Sequence, residues 1–116
     1  LQSVGKLYLS RVSERIPEIE RVTDKRPDNF LHMGLIKAMI PNAKIIHTRR
    51  VLLDKSLSFY FQQMGNNFSY ATDLRNCAHY YQQQERLMDH WKSCVGEDIF
   101  AVDYEEIVEA PEPVMR

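Results

Sequence analysis

Cysteine is scarce in this chain: Cys77 and Cys94 are the only two, with no Cys-x-x-Cys spacing. A disulfide framework and a cysteine-built zinc site are therefore excluded, and both thiols are expected to be reduced and buried. If both lie on one continuous helix they stand about 25 Å apart, too far to be bridged. An excess of either charge is also lacking, since 15 Lys and Arg face 16 Asp and Glu for a formal net charge of −1. No global field draws nucleic acid or an acidic membrane, so any anion site must be local. Long apolar runs are absent too. MGLIKAMI is broken by Lys37 and is far shorter than the roughly 20 residues needed to span a bilayer. There is no internal repeat, no low-complexity segment and no basic-then-apolar signal pattern. These absences, with reduced thiols, lead to an expected cytoplasmic location. The first residue is Leu1 rather than Met, as expected of a processed chain or a piece of a longer parent. The length suits a single domain over residues 1–116, whole or partial, with a modest core.

What is present is an alternation of helix and strand signals. Val4, Leu7, Tyr8, Val12 and Ile16 fall on one face of a helix that Pro17 ends. Glu20 to Thr23 is a brief strand candidate. Pro27 suits the first turn of a helix buried through Phe30, Leu31, Leu35, Ile36 and Met39, with Asp28 near its positive end. Pro41-Asn42 breaks it before a strand over Lys44 to Thr48. A helix from about Leu53 to Met64 follows, closed by Gly65-Asn66-Asn67. Thr72 or Asp73 then caps a long helix to about Cys94, with Leu74, Cys77, Ala78, Tyr81, Met88, Trp91 and Val95 on one side. Gly96 terminates it. Ile99 to Val102 reads as a strand and Tyr104 to Val108 as a helix, with order ending at Pro111 and Pro113. This alternation predicts an α/β fold of short parallel strands covered by several helices. Ligands of such sheets sit beyond the carboxyl ends of the strands, where Lys25, Arg50 and Tyr104 all fall.

The segment from Ala43 to Tyr60, AKIIHTRRVLLDKSLSFY, carries the most chemistry. A buried strand ends in an arginine pair and turns directly into a helix. Arg50 marks the strand end, Asp54 the first helical turn, and Ser58 lies two turns along. A guanidinium fork and a helix N-terminus together suit a phosphate. Taken singly, each residue has a plainer reading. Arg50 would pair with Asp54, Ser58 would bond its own backbone, Lys25 would be a solvated turn lysine and Tyr104 a boundary aromatic. Arg49 alternates to the other side of the strand, where a carboxylate or water is its expected partner. His47 is expected to be a satisfied core histidine and His32 a surface one. His79 and His90 are too far apart along one helix to share a metal. The Tyr80-Tyr81 and Phe59-Tyr60-Phe61 clusters read as core, and Glu18/Glu20 and Glu105/Glu106 as solvated faces.

Arg-x-x-x-Asp-x-x-x-Ser after an apolar strand resembles the 3′-phosphate element of sulfotransferases that use 3′-phosphoadenosine 5′-phosphosulfate (PAPS), of the tyrosylprotein-type and bacterial tetratricopeptide-linked kinds. TDKRPDNF, PNAKIIHTRR, YYQQQERLMDHW and VDYEEIVEAPE are similar, in order, to segments of that family and cover most of the chain. Val51 and Leu52 depart from the family's Asp-Pro after the second arginine. No Arg-Ser-Gly-Thr-Thr loop, which cradles the 5′-phosphosulfate in the family, occurs in the sequence, nor does the family's closing Gly- and basic-rich loop.

The resemblance implies the C-terminal part of a P-loop-like sulfotransferase domain, moving a sulfuryl group from PAPS to a hydroxyl or amine without a metal. It implies that Arg50 and Ser58 bind the 3′-phosphate, that Tyr104 lies against the adenine, and that Lys25 acts catalytically at the departing 5′-phosphate. The acceptor is open among protein tyrosine, carbohydrate and small molecules. Without the phosphosulfate loop the isolated chain is expected to be inactive, and its uncovered faces are expected to self-associate or meet parent-chain neighbours. Two other readings remain: a nucleotide kinase-like P-loop fragment, and a noncatalytic helical interaction module built on the long helix. Neither nucleic acid nor a membrane is an expected partner.

Overall fold

The computed structural model describes residues 1–18, 20–62 and 66–115. Two compact units divide the chain, Leu1–Lys44 and Ile45–Arg116.

In the first unit, α1 (Gln2–Arg15) packs on α2 (Met33–Met39) through a single close approach. Gly5 is the buried residue of α1, and a Cβ built there would stand 2.8 Å from the carbonyl carbon of Met39. The glycine thus lets a helix lie directly on the C-terminal carbonyl of its neighbour. The expected apolar stripe of α1 is only partly used, because α2 covers little of it: Val4 and Leu7 remain more than half exposed. Between the helices, Tyr8 donates to Asp24 Oδ2 at 2.7 Å, which raises the tyrosine pKa. Met33 is the buried anchor of α2, which is entered through a 3-10 turn over Asn29–His32. Lys37 extends from α2 to the carbonyls of Pro41 and Ala43, tying the chain down where Pro41 ends the helix. Asp28 is held by Arg26 rather than by a helix terminus, and that ion pair lowers its pKa. The strand expected over Glu20 to Thr23 does not form. Its one large apolar residue, Val22, is 48% exposed, so the segment has no face to bury.

In the second unit, β1 (Ile45–Arg49) and β2 (Ile99–Asp103) pair in parallel, with Ile45 opposite Ile99 and Arg49 opposite Asp103. The crossover between them runs through α3 (Leu52–Phe61), a 3-10 segment at Asn66–Thr72, and α4 (Leu74–Val95). This is the predicted α/β arrangement of parallel strands and covering helices. Asp73 caps α4 by accepting from the backbone N–H groups of Arg75 and Asn76, at 2.8 and 3.0 Å. Cys77, Tyr81 and Met88 recur at helical spacing on its buried side. Phe59 of α3 meets the Tyr81 ring edge-on at 5.8 Å, and Lys55 of α3 pairs with Glu85 of α4 at 3.1 Å. Met64 and Gly65, where α3 was expected to end, lie outside the described residues.

Two further expectations change. Cys94 is exposed, whereas Cys77 is buried and donates to the Tyr70 carbonyl at 3.2 Å; both are free thiols. Order also continues past α5 (Tyr104–Glu109) into α6 (Pro111–Met115). Both prolines of α6 fall in its first turn, where no intrahelical N–H bond is lost.

Replacing Gly5 by Ala should destabilise the first unit by about 1–3 kcal/mol, because an overpacked backbone contact outweighs the better helix propensity of alanine. Thermal melts followed by circular dichroism check this; a stabilised variant would contradict the close approach of α1 to Met39.

Candidate functional site

Parallel pairing places the carboxyl ends of β1 and β2 side by side, so Arg50 and Tyr104 leave the sheet at adjacent points. Their side chains meet there. The Arg50 guanidinium carbon lies 5.0 Å from the centre of the Tyr104 ring, a cation–π arrangement, and both residues are exposed. The residues on either side are also joined. Arg49 donates to Asp103 Oδ2 in a half-exposed ion pair, and the Val51 N–H points to Glu105 Oε1 at 3.5 Å, the long limit of a hydrogen bond. Side-chain contacts thus join the last pair of the ladder, 49 with 103, and carry its register on to two further pairs, 50 with 104 and 51 with 105.

The expected carboxylate partner of Arg49 is Asp103. Glu105 is not a purely solvated residue, since its carboxylate turns toward the start of α3; Glu106 is exposed. Sequence reasoning did not single out Asp103 and read Glu105 only as part of a solvated face. Their signal was the three-residue run Asp103-Tyr104-Glu105 following a strand that ends as β1 does, with a side chain of interest in the middle.

Helix α3 begins after Val51 without a side-chain cap, and Asp54 stands in its first turn. The two serines of α3 behave differently. Ser56 is buried and donates back to the Leu52 carbonyl at 2.9 Å. Ser58 is half-buried and, among the described residues, its hydroxyl makes no hydrogen bond, so the plain backbone-bonded reading belongs to Ser56 instead. Among the described residues Arg50 has no carboxylate partner, and no hydrogen bond joins it to Ser58; its guanidinium rests on Tyr104. Lys25 is exposed in the segment after α1, where the expected strand is absent, and belongs to the first unit, so the strand-end pair is Arg50 with Tyr104 in the second unit, and Ser58 lies two turns along α3.

Beneath the rim, His47 is buried in β1 with Nδ1 unpartnered among the described residues, so the expected core histidine is present but not fully satisfied. Burial lowers its pKa, opposed by Glu85 and reinforced by Lys92, Lys55 and Arg49. Five aromatic residues, Phe59, Phe68, Tyr70, Tyr80 and Tyr81, form a continuous cluster in which Tyr70 and Tyr80 stack with ring centres 3.9 Å apart, whereas Tyr60 and Phe61, expected in the core, are exposed at the end of α3. An open cleft lined by Tyr70, Asn76, His79, Tyr80 and Gln83 adjoins it and shares no residue with the strand-end group. Among the described residues no cluster of three or more His, Cys, Asp or Glu is disposed to hold a metal. Likewise no helix among them is long and apolar enough to cross a membrane.

A parallel sheet whose strand ends present an arginine before a helix agrees with what comparison of the whole sequence finds. A profile of the sulfotransferase family matches residues 1–116, and the chain belongs to that family. It is also 38% identical over 119 residues to a protein of Aquifex aeolicus (strain VF5) described as an uncharacterized protein. That alignment takes in all of this chain and 16% of the Aquifex protein, so the chain spans a small part of its relative's length. No solved structure matches it.

The lowered pKa of His47 makes stability depend on pH. The unfolded chain takes up a proton near 6.5 while the buried imidazole resists it, so stability is full above about pH 6.5 and is lost as pH falls below it. Melting temperature measured from about pH 7.5 to about pH 5.5 should fall for the native chain and fall less for His47→Gln. Parallel curves for the two proteins would assign the loss to another group.

Proposed function

We propose that this chain is the donor-binding part of a PAPS-dependent sulfotransferase that transfers a sulfuryl group to a hydroxyl or amine acceptor, whether protein tyrosine, carbohydrate or small molecule. One observation carries the reading: a hydroxyl with no hydrogen bond, Ser58, stands on a helix with no side-chain cap, and the arginine just before that helix has no carboxylate partner among the described residues. A 3′-phosphate fits that donor set. Unpaired N–H groups at the start of α3, the planar fork of Arg50 and the Ser58 hydroxyl all donate, and a phosphate accepts. The departure from the family's Asp-Pro at Val51 and Leu52 still leaves α3 starting immediately after Arg50 and Val51.

When bound, PAPS supplies the activated sulfuryl group. The chain's own residues have narrower tasks. Arg50 and Ser58 grip the 3′-phosphate and so distinguish this donor from nucleotides that lack one. The ring of Tyr104, 48% exposed, offers a face for the adenine. Lys25, in the first unit, keeps the role that the resemblance implies, an ammonium that offsets negative charge on the oxygen of the departing 5′-phosphate. We assign no residue of this chain as the base that takes the acceptor proton. We also assign the 5′-phosphosulfate cradle to residues outside 1–116, so the chain alone binds the donor weakly and does not turn it over.

Calorimetric titration with adenosine 3′,5′-bisphosphate and with 5′-AMP tests this. The bisphosphate should bind at least about tenfold more tightly, and Arg50→Gln or Ser58→Ala should remove most of that preference. Equal affinities for the two ligands in the native chain would overturn the reading. No binding of either, by this chain or by a form extended at its N-terminus, would favour a noncatalytic interaction module.

A further inference from the structure

The side chains at the strand ends suggest how the direction of Arg50 is set. Two five-residue parallel strands make a weak pairing by themselves, and a slip of one residue would carry Arg50 past Tyr104 and turn its side chain to the other face. The last pair of the ladder, Arg49 with Asp103, directly precedes the Arg50 and Tyr104 positions.

Asp103 occupies the N-cap position of α5 in extended conformation, with φ −84° and ψ 128°, yet makes no capping hydrogen bond. Aspartate is among the best capping residues, and Asp73 in the corresponding place before α4 accepts from two backbone N–H groups. At Asp103 the carboxylate is turned instead to Arg49. On the other partner, Arg49 Nε is buried without an acceptor, so among the described residues Asp103 is the anion that fixes this guanidinium. A carboxylate that forgoes its helix for an arginine, and an arginine that leaves a buried donor unpaired to reach it, are not explained by the stability of either element. Both are explained by the need to hold two strand ends in one register.

We propose that Arg49 and Asp103 are positioning residues, a cross-strand clamp that sets the stack of Arg50 on Tyr104 and thereby aims the anion-binding guanidinium. Neither touches the ligand. The clamp's ligand readout rests on the donor-site reading, whereas its spectroscopic readout does not.

The test uses the full chain with Arg49→Gln, Asp103→Asn and the charge exchange R49D/D103R, each checked for native helix content by circular dichroism. In the absence of ligand, NMR signals of the Tyr104 ring and the Arg50 Nε–H should move in both single variants and return toward native positions in the exchange. Affinity for adenosine 3′,5′-bisphosphate should fall about tenfold in the single variants, with 5′-AMP affinity changed less, and recover in the exchange. Should a single variant lose helix content, Arg49→Lys, which keeps the charge but not the planar fork, replaces it and should give smaller displacements of the same signals. Unmoved Tyr104 and Arg50 signals in folded single variants would overturn the clamp. Equal binding of both nucleotides by the native chain would overturn the donor-site reading, and the NMR displacements would then decide the clamp alone.

Discussion

One register governs the second unit: residues of β1 face residues of β2 at a fixed separation of 54, and that separation persists in side-chain contacts after the backbone pairing stops. Strand sequence supplies the pairing, since Ile45 and Ile99 begin it and Val102 is buried near its end. The crossover supplies the direction. The helices between the strands make a crossover long enough for the parallel return that is observed, and that return brings both carboxyl ends to the same edge. From that point the placement of Arg50 beside Tyr104 follows from counting residues, and the site inherits its precision from the sheet.

Sequence periodicity was a good guide where a segment buries one face within its own unit. The boundary of α4, its Asp73 cap and its buried Cys77, Tyr81 and Met88 all follow from spacing and capping chemistry. Both strands of the sheet could be read to within a residue or so, because apolar runs bounded by turn signals have few alternatives. Where neighbours decide the outcome, the sequence was less informative. Glu20 to Thr23 has strand-like residues but no partner among the described residues, and α6 starts with prolines that normally signal a stop. At the candidate site, motif spacing and resemblance singled out Arg50, Ser58 and Tyr104 as candidates. It could not show that Asp103 turns away from α5 toward Arg49, since capping preference and ion pairing make opposite claims on the same carboxylate.

The pattern of exposure sets a second constraint. Ile46 and Phe100 are register partners on one face of the sheet, and they are 66% and 58% exposed. Parallel strands are normally covered on both faces, and this apolar pair departs from that rule. Such exposure weakens the sheet's claim to stability from burial alone. It increases the relative importance of directional contacts at the strand ends, although a half-exposed ion pair such as Arg49 with Asp103 contributes no more than about 1 kcal/mol. Its effect lies in excluding other registers, which requires only that each alternative lose the same contact.

On the proposed reading the site must be open to an anion yet ordered beforehand, and the contacts of Arg50 suit that. Arg50 on an exposed ring gains about 0.5–1 kcal/mol, enough to restrict a flexible side chain and too little to hold it against a phosphate. An ion pair with Asp54 would have held Arg50 more firmly and would have set a carboxylate in the place of the ligand. Asp103 is already engaged by Arg49, and Glu105 points to the backbone at the start of α3. The two acids nearest the site in sequence are thus kept off Arg50 by their own partners. In a chain with almost no net charge, a free guanidinium at Arg50 depends on this sorting of carboxylates and not on an excess of basic residues.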